Sequence, residues 1–262
     1  DEDTSLPLGI SAETLKTYIE TYPDCKNLIL VNPTYQGITA NNVECVQLAK
    51  AHGLTVIVDE AHGSHLHFHN DLPSSLLDAG ADLVVQSWHK TLPVLTQGSA
   101  LLVNKNYRGT SPEPFLSLLQ TTSPSYLIMA SLEAGSIYMG TDSHSHIQNA
   151  LQAVYSLHSR IEKTLDTLHV LWKPEWKQDP FKLYITSDIL SGAEMDEYLR
   201  MNHAIYSEMQ DNHGILFILP VQTDTAWCET LYNALLALDA HSKTQNRTID
   251  TAPSASFYCR EI

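Results

Sequence analysis

Basic side chains are scarce in this sequence: 15 Lys and Arg stand against 30 Asp and Glu in 262 residues, a formal charge of −15. So few cations, scattered along the chain, exclude a nucleic-acid backbone as partner. The acidic surface fits a soluble cytoplasmic protein and is compatible with a small cationic substrate. No run approaches the roughly 18 apolar residues that cross a bilayer, so no membrane partner is expected. Cysteine is sparse, and Cys25, Cys45, Cys228 and Cys259 form no Cys-x-x-Cys pair. They read as reduced thiols, not as a disulfide framework or zinc site. No Gly-Lys pair occurs, which removes the phosphate loop of a nucleotide hydrolase. The opening Asp1-Glu2-Asp3 resembles no signal or transit peptide, and it lacks an initiator Met. Asn246-Arg247-Thr248 matches a glycosylation sequon, which carries little weight without a secretory signal.

What is present is concentrated between Asn32 and Ser99. Three apolar, β-branched runs, Asn27 to Val31, Leu54 to Val58 and Ala81 to Gln86, read as buried strands. Each is followed by a polar signature: Asn32-Pro33-Thr34, Asp59-Glu60-Ala61-His62-Gly63 and Gln86-Ser87-Trp88-His89-Lys90-Thr91. An amphipathic helical pattern with Val43, Val46, Leu48 and Ala49 on one side, stopped by Gly53, lies between the first two strands. This alternation predicts parallel strands with helical crossovers, an α/β fold. Ligands of open α/β sheets bind at the carboxyl ends of the strands, where Asn32, Asp59 and Lys90 would converge.

Elsewhere the pattern predicts a helix over Ser11 to Tyr22, with Leu15, Tyr18, Ile19 and Tyr22 inward, and a further strand over Gly98 to Val103. Pro112 and Pro114 read as a break, followed by a helix from Tyr126 to Met139. Thr141 to His146 reads as a polar hinge, and Ile147 to Leu171 as one long helix with Tyr155 on its inner side. Strands over Phe181 to Ile185 and Ile215 to Leu219, with helices near Ala193 to Met201 and Ala226 to Leu238, predict a smaller α+β unit. The expected division is therefore 1–145 and 146–262.

A lysine just past a buried strand is placed for partial desolvation, which lowers an amine's pKa and frees its lone pair for Schiff-base chemistry. Asp59, at the end of the neighbouring strand, supplies the carboxylate that pyridoxal phosphate needs at its pyridine nitrogen. Ala61 offers a small flat surface to the ring, and Ser87 and His89 offer donors for a phosphate. Asp59-Glu60-Ala61-His62 also spells a helicase box, but that reading fails without the phosphate loop. His62, His65, His67 and His69 read as a polar, partly buried loop. The alternative is zinc held by His65, His67 and His69 on one strand face, and no metal is expected.

The segments Val58 to His65 and Val84 to Pro93 resemble the Orn/Lys/Arg decarboxylases, in particular the shorter bacterial arginine or lysine decarboxylase type. Thr121 to Leu132 is similar to the same group. The resemblance implies part of a fold-type-I pyridoxal-phosphate large domain with a mainly parallel sheet, followed by an incomplete small domain. It implies Lys90 as the amine holding the cofactor aldehyde and Asp59 at the pyridine nitrogen. Asn32 and His62 would lie near the ring hydroxyl, Ser87 and His89 at the phosphate, and His89 also near the reacting carbon. Thr122 would reach the phosphate bound in a partner subunit, making a homodimer or higher homo-oligomer the active unit. Trp88 departs from the Thr expected there, which bears on packing beside the cofactor.

Family members also carry, before the matched part, a phosphate-cradling loop and a His that stacks on the ring. The segment Thr251 to Glu261 looks like the start of a further section. The expectation is thus an internal fragment, or a truncated relative, of a protein roughly twice as long. The implied function is decarboxylation of arginine, lysine or ornithine to a polyamine precursor. The alternatives are a catalytically silent binding or regulatory module, and another reaction of the same fold such as an aminotransferase or aldolase.

Overall fold

The structure, a computed structural model, describes residues 6–141 and 143–245. Helix α1 (Ala12–Thr21) starts behind Ser11, whose side chain accepts the Thr14 N–H. Leu15 is buried beneath it, but Tyr18 and Tyr22 lie on the surface, stacked on each other at 6.2 Å. Two aromatic rings one turn apart cover one another without entering the core. Strand β1 (Asn27–Val31), helix α2 (Asn42–Ala51), strand β2 (Thr55–Asp59), strand β3 (Leu83–Gln86), the single-turn helix α3 (Trp88–Thr91) and strand β4 (Ala100–Val103) follow. The sheet order is β1-β2-β3-β4, with the first three parallel and β4 antiparallel to β3. Gly53, at φ +75°, turns the chain out of α2 into β2. The third strand starts later than its apolar run because Asp82 is diverted: its carboxylate binds the Val56 N–H at 2.8 Å and Lys50 Nζ at 2.6 Å.

Helix α4 (Glu113–Leu119) occupies the proline-marked stretch, with proline in its first turn, where the missing N–H costs nothing. Helix α5 (Tyr126–Thr141) and helix α6 (Ser143–Thr164) replace the expected hinge. Residues 143–146 form the first turn of α6: Ser143 Oγ donates to Met139 O at 2.6 Å, and Tyr138 Oη and His146 Nδ1 lie 2.6 Å apart. Polar residues thus serve as helix-to-helix ties. The long helix also stops earlier than its periodicity predicts, because the N–H groups of Asp166 and Thr167 turn to Asp239 Oδ1. Leu168–Val170 becomes strand β5. Tyr155, expected inward, is 41% exposed.

Strand β6 (Lys182–Ser187), helix α7 (Gly192–His203), strand β7 (Met209–Gln210), strand β8 (Gly214–Ile218) and helix α8 (Thr225–Ser242) complete the described chain. Their sheet is antiparallel, in the order β5-β6-β8-β7. Leu183, Ile185, Ile215 and Phe217 pack into the core formed with α6, α7 and α8. That core also takes in Leu66, Leu72, Leu92 and Met139, so apolar packing runs across residue 145. A second contact joins the halves: Ile38 bridges Gln178, the Thr39 and Ala40 N–H groups donate to Trp176 O, and Ile38 packs with Trp176, Tyr184 and Leu216. The loop after β1 is thereby held against the entry to β6. No helix among the described residues is long and apolar enough to cross a membrane. Cys25, Cys45 and Cys228 are free thiols. Cys259, the sequon at Asn246 and the stretch from Thr251 lie outside the described residues.

Candidate active site

Strands β2 and β3 are parallel and paired with Asp59 opposite Val85, so the two signatures leave adjacent strand tips at one rim. Strand alternation then separates two neighbouring acids. Asp59 is exposed on the same face as Ile29, Val31 and Val85, whereas Glu60 is fully buried. The Asp59 Oδ1 accepts the Ala61 N–H at 3.1 Å, which closes a tight turn and leaves the other oxygen open. Gly63 lets that turn fold close: a Cβ there would lie 2.6 Å from Glu60 Cγ and 3.0 Å from Pro33 Cδ. Across the rim, Ser87 begins α3 and its carbonyl accepts the Lys90 N–H at 3.0 Å. Lys90 Nζ then lies 3.2 Å from His62 Nε2, which ties the two motifs together directly.

Glu60 organises the rim from below. Its carboxylate accepts from Asn32 Nδ2 at 3.0 Å, Ser75 Oγ at 2.8 Å, the Leu76 N–H at 2.9 Å and Gln86 Nε2 at 2.7 Å. Burial pushes its pKa up despite these donors. Asn32 is spent in this network: its amide nitrogen serves Glu60, and its oxygen accepts from Asn42 Nδ2 at 2.9 Å. Asn32, expected near a ring hydroxyl, is fully buried here with both ends of its amide engaged. Trp88 has its own place here, donating its indole N–H to Gln86 Oε1 at 3.1 Å while packing on the main core.

The expected desolvated lysine is a different one. Lys90 is exposed, while Lys182, at the start of β6, is 2% exposed. The Lys182 stem packs on Gly37, where a Cβ would come within 2.6 Å of the lysine Cβ. Its Nζ reaches His62 Nδ1 at 2.9 Å and sits 5.3 Å from the Tyr35 ring centre. Burial lowers Lys182 to about 8, opposed by Asp179 and Glu208. His62, edge-on to Tyr35 at 4.8 Å, is pushed down to about 3, by burial first and then by Lys182 and Lys90. It is a neutral imidazole between two amines. Tyr35 Oη donates to Glu208 Oε1 at 2.5 Å, and this bond raises the phenol to about 12. Burial alone would raise the Asp179 carboxyl, but His65 and Lys182 outweigh it and hold it low; His65 Nε2 is 3.0 Å away. Lys182, Asp179, Tyr35, Glu208 and His65 were missed as a group. The available signal was a lysine inside the apolar run Phe181 to Ile185, directly after Asp179-Pro180.

The other histidines disperse. Leu66–Phe68 is a 3-10 turn, and His65, His67 and His69 face Asp179, Asp78 and Gln148 in three directions. His89 is half-buried and its Nδ1 lies 2.8 Å from Gly98 O. A carbonyl only accepts, so a proton is on Nδ1, and Nε2 is the nitrogen left to face the site. The Ser87 hydroxyl makes no capping bond and stays half-buried beside it. Thr122 is exposed between α4 and α5, outside this linked cluster.

The family model described as Orn/Lys/Arg decarboxylase, major domain, matches residues 4–186. An arginine decarboxylase of Halalkalibacterium halodurans is 35% identical over 89% of this chain and 49% of its own length. The chain spans about half the length of the curated relatives it matches. Among solved structures, the Francisella novicida lysine decarboxylase LdcF aligns with a TM-score of 0.72 at 18% identity, over 90% of this chain and 40% of that one. SPT with its PLP internal aldimine aligns with a TM-score of 0.69 at 18% identity, over 90% and 60%. These neighbours share the fold-type-I architecture, and with residues 4–186 matched to one family the conclusion is direct: the chain belongs to the Orn/Lys/Arg decarboxylases, with that stretch matching their major domain.

Proposed function

We propose that this chain forms the lysine-bearing part of a pyridoxal-phosphate-dependent decarboxylase acting on a basic amino acid. The observation that carries the reading is the tie between adjacent strand tips, Lys90 Nζ to His62 Nε2, one turn of chain beyond the open carboxylate of Asp59. The donor set fits the cofactor: an exposed amine for the aldehyde, an exposed carboxylate for the ring nitrogen, and the small side chain of Ala61 between Asp59 and His62. Bound at this rim, pyridoxal phosphate would supply the electron sink for the bond between Cα and the carboxylate. Lys90 would hold the aldehyde end and Asp59 the opposite end. His62 would stay neutral beside Lys90, and Ser87 would offer its free hydroxyl to the phosphate. His89, with its proton fixed on Nδ1, would use Nε2 to carry a proton to and from the reacting carbon.

Thr122, exposed on its loop, would serve the phosphate of a second subunit, which makes the working unit a homodimer or larger homo-oligomer. The acidic surface and free thiols support a cationic amino-acid substrate and a cytoplasmic setting. The products would be polyamine precursors: agmatine, cadaverine or putrescine. The first test is spectroscopic: added pyridoxal phosphate should give an absorbance band near the edge of the visible range, and Lys90→Ala should abolish it. Carbon dioxide release from arginine, lysine and ornithine, assayed in the full-length protein carrying this chain, identifies the substrate. A band that survives Lys90→Ala would overturn the assignment of Lys90.

A further inference from the structure

We propose that Lys182, through His62, is a positioning residue that stores and returns the proton of Lys90. The argument is one of counting. A neutral imidazole has one N–H and one lone pair. His62 has an amine at each nitrogen, Lys182 at 2.9 Å from Nδ1 and Lys90 at 3.2 Å from Nε2. Only one amine can donate to the ring; the other must accept the ring N–H and is therefore uncharged. Three side chains, with four nitrogens between them, thus share one excess proton, and the two tautomers of His62 correspond to its two locations.

The transfer balances. With the proton on Lys90, its ammonium donates to Nε2 while Nδ1–H donates to the Lys182 amine. One proton moves from Lys90 Nζ to His62 Nε2 and another from His62 Nδ1 to Lys182 Nζ. The products are a free Lys90 amine, the opposite imidazole tautomer and a Lys182 ammonium. Charge is conserved, and no proton enters water. A free Lys90 amine is the form that attacks a carbonyl.

The surroundings fit the task. Asp179, fully buried, and Glu208 both favour the ammonium on Lys182, and the Tyr35 ring, itself bonded to Glu208, lies 5.3 Å from it. Lys90 and burial oppose the charge. His62 further faces Asp179, which favours its protonation, and His65, which opposes it. Together these neighbours and burial leave Lys182 at about 8, close enough to neutrality to give or take a proton. The proposal deepens the reading of Lys90 as the anchoring amine and rests on it for its use, although its test needs no cofactor.

The test is competitive acetylation of Lys90 by trace acetic anhydride across pH 6 to 11, read by peptide mass spectrometry. The expected wild-type profile rises in two steps, as coupled sites do. Lys182→Met should leave a single step at higher pH, with labelling at pH 8 lower by about tenfold, the effect of a midpoint moved by about one unit. Lys182→Arg keeps the charge but cannot give up its proton, so it too should show one step. His62→Gln, on the half-buried imidazole, breaks the relay and leaves only the direct charge coupling between Lys182 and Lys90, so its two steps should lie closer together than in wild type. That variant keeps the proposal testable should the buried substitutions unfold the chain. A two-step profile surviving in a folded Lys182 variant, steps as far apart in His62→Gln as in wild type, or a single step in wild type, overturns the relay. A missing cofactor band beside a normal two-step profile overturns the cofactor reading alone.

Discussion

Along β1, β2 and β3, one row of residues, Leu30, Val56, Val58 and Val84, is buried, while the opposite row, Ile29, Val31 and Val85, is apolar yet 43–71% exposed. In β6 and β8 both rows are buried: Leu183 and Ile185 face the helices, and Tyr184 and Leu216 pack against Ile38 and Trp176. This inverts the usual pattern, in which parallel sheets are covered on both faces and antiparallel ones are open on one. The candidate site straddles the contrast. Asp59 and Lys90 stand on the open rim, whereas Lys182 is set in the doubly covered sheet. The two motif residues are thus accessible, while the lysine linked to Lys90 through His62 is enclosed.

Three measurements break or sharpen this comparison. The first concerns how the open sheet keeps its rim. Polar bonds do there what packing does in the second sheet, so Glu60→Ala, which strands the donors of Asn32, Ser75, Leu76 and Gln86, should cost about 4 kcal/mol in urea unfolding. A loss below about 1 kcal/mol would mean that the rim does not depend on that carboxylate.

Packing itself is compared by truncation. Leu183→Ala, in the covered sheet, should cost about 3 kcal/mol, and Ile29→Ala, on the open face, no more than about 0.5 kcal/mol. Equal costs would show that the open face is covered in solution.

The third separates the halves by pH. His158, buried against Trp172 beside the second sheet, is pushed down to about 4 by burial. Between pH 4 and 6.5 the unfolded chain binds its proton and the folded chain does not, so stability rises with pH across that window, by about 3 kcal/mol at most. Glu60 acts in the opposite sense: its raised pKa makes the folded chain bind the proton more tightly, so its contribution falls as pH climbs from 4.5 through the raised value. His62, held down to about 3, adds a slope of the same sign, so His158→Phe should lessen the steepness of the acid limb without flattening it and leave the Glu60 slope in place.

Much was legible from residue order alone. Strand–helix–strand periodicity predicts the parallel sheet, the rim, and the neighbouring tips that carry Asp59 and Lys90, because local hydrophobic spacing sets each element and parallel pairing aligns their ends. The motifs around those two residues identify the family. The hinge, the end of α6 and the helix at the prolines were misread where a distant partner or a first-turn position overrides local pattern, as Asp239 does at Asp166 and Thr167.

Tertiary structure alone decided which lysine is buried, which donors satisfy the buried Glu60, and that Asn32 is one of them. Each depends on contacts between segments far apart in the chain, above all His62 with Lys182, 120 residues away. Periodicity records which way a side chain points, but not what another part of the chain places opposite it.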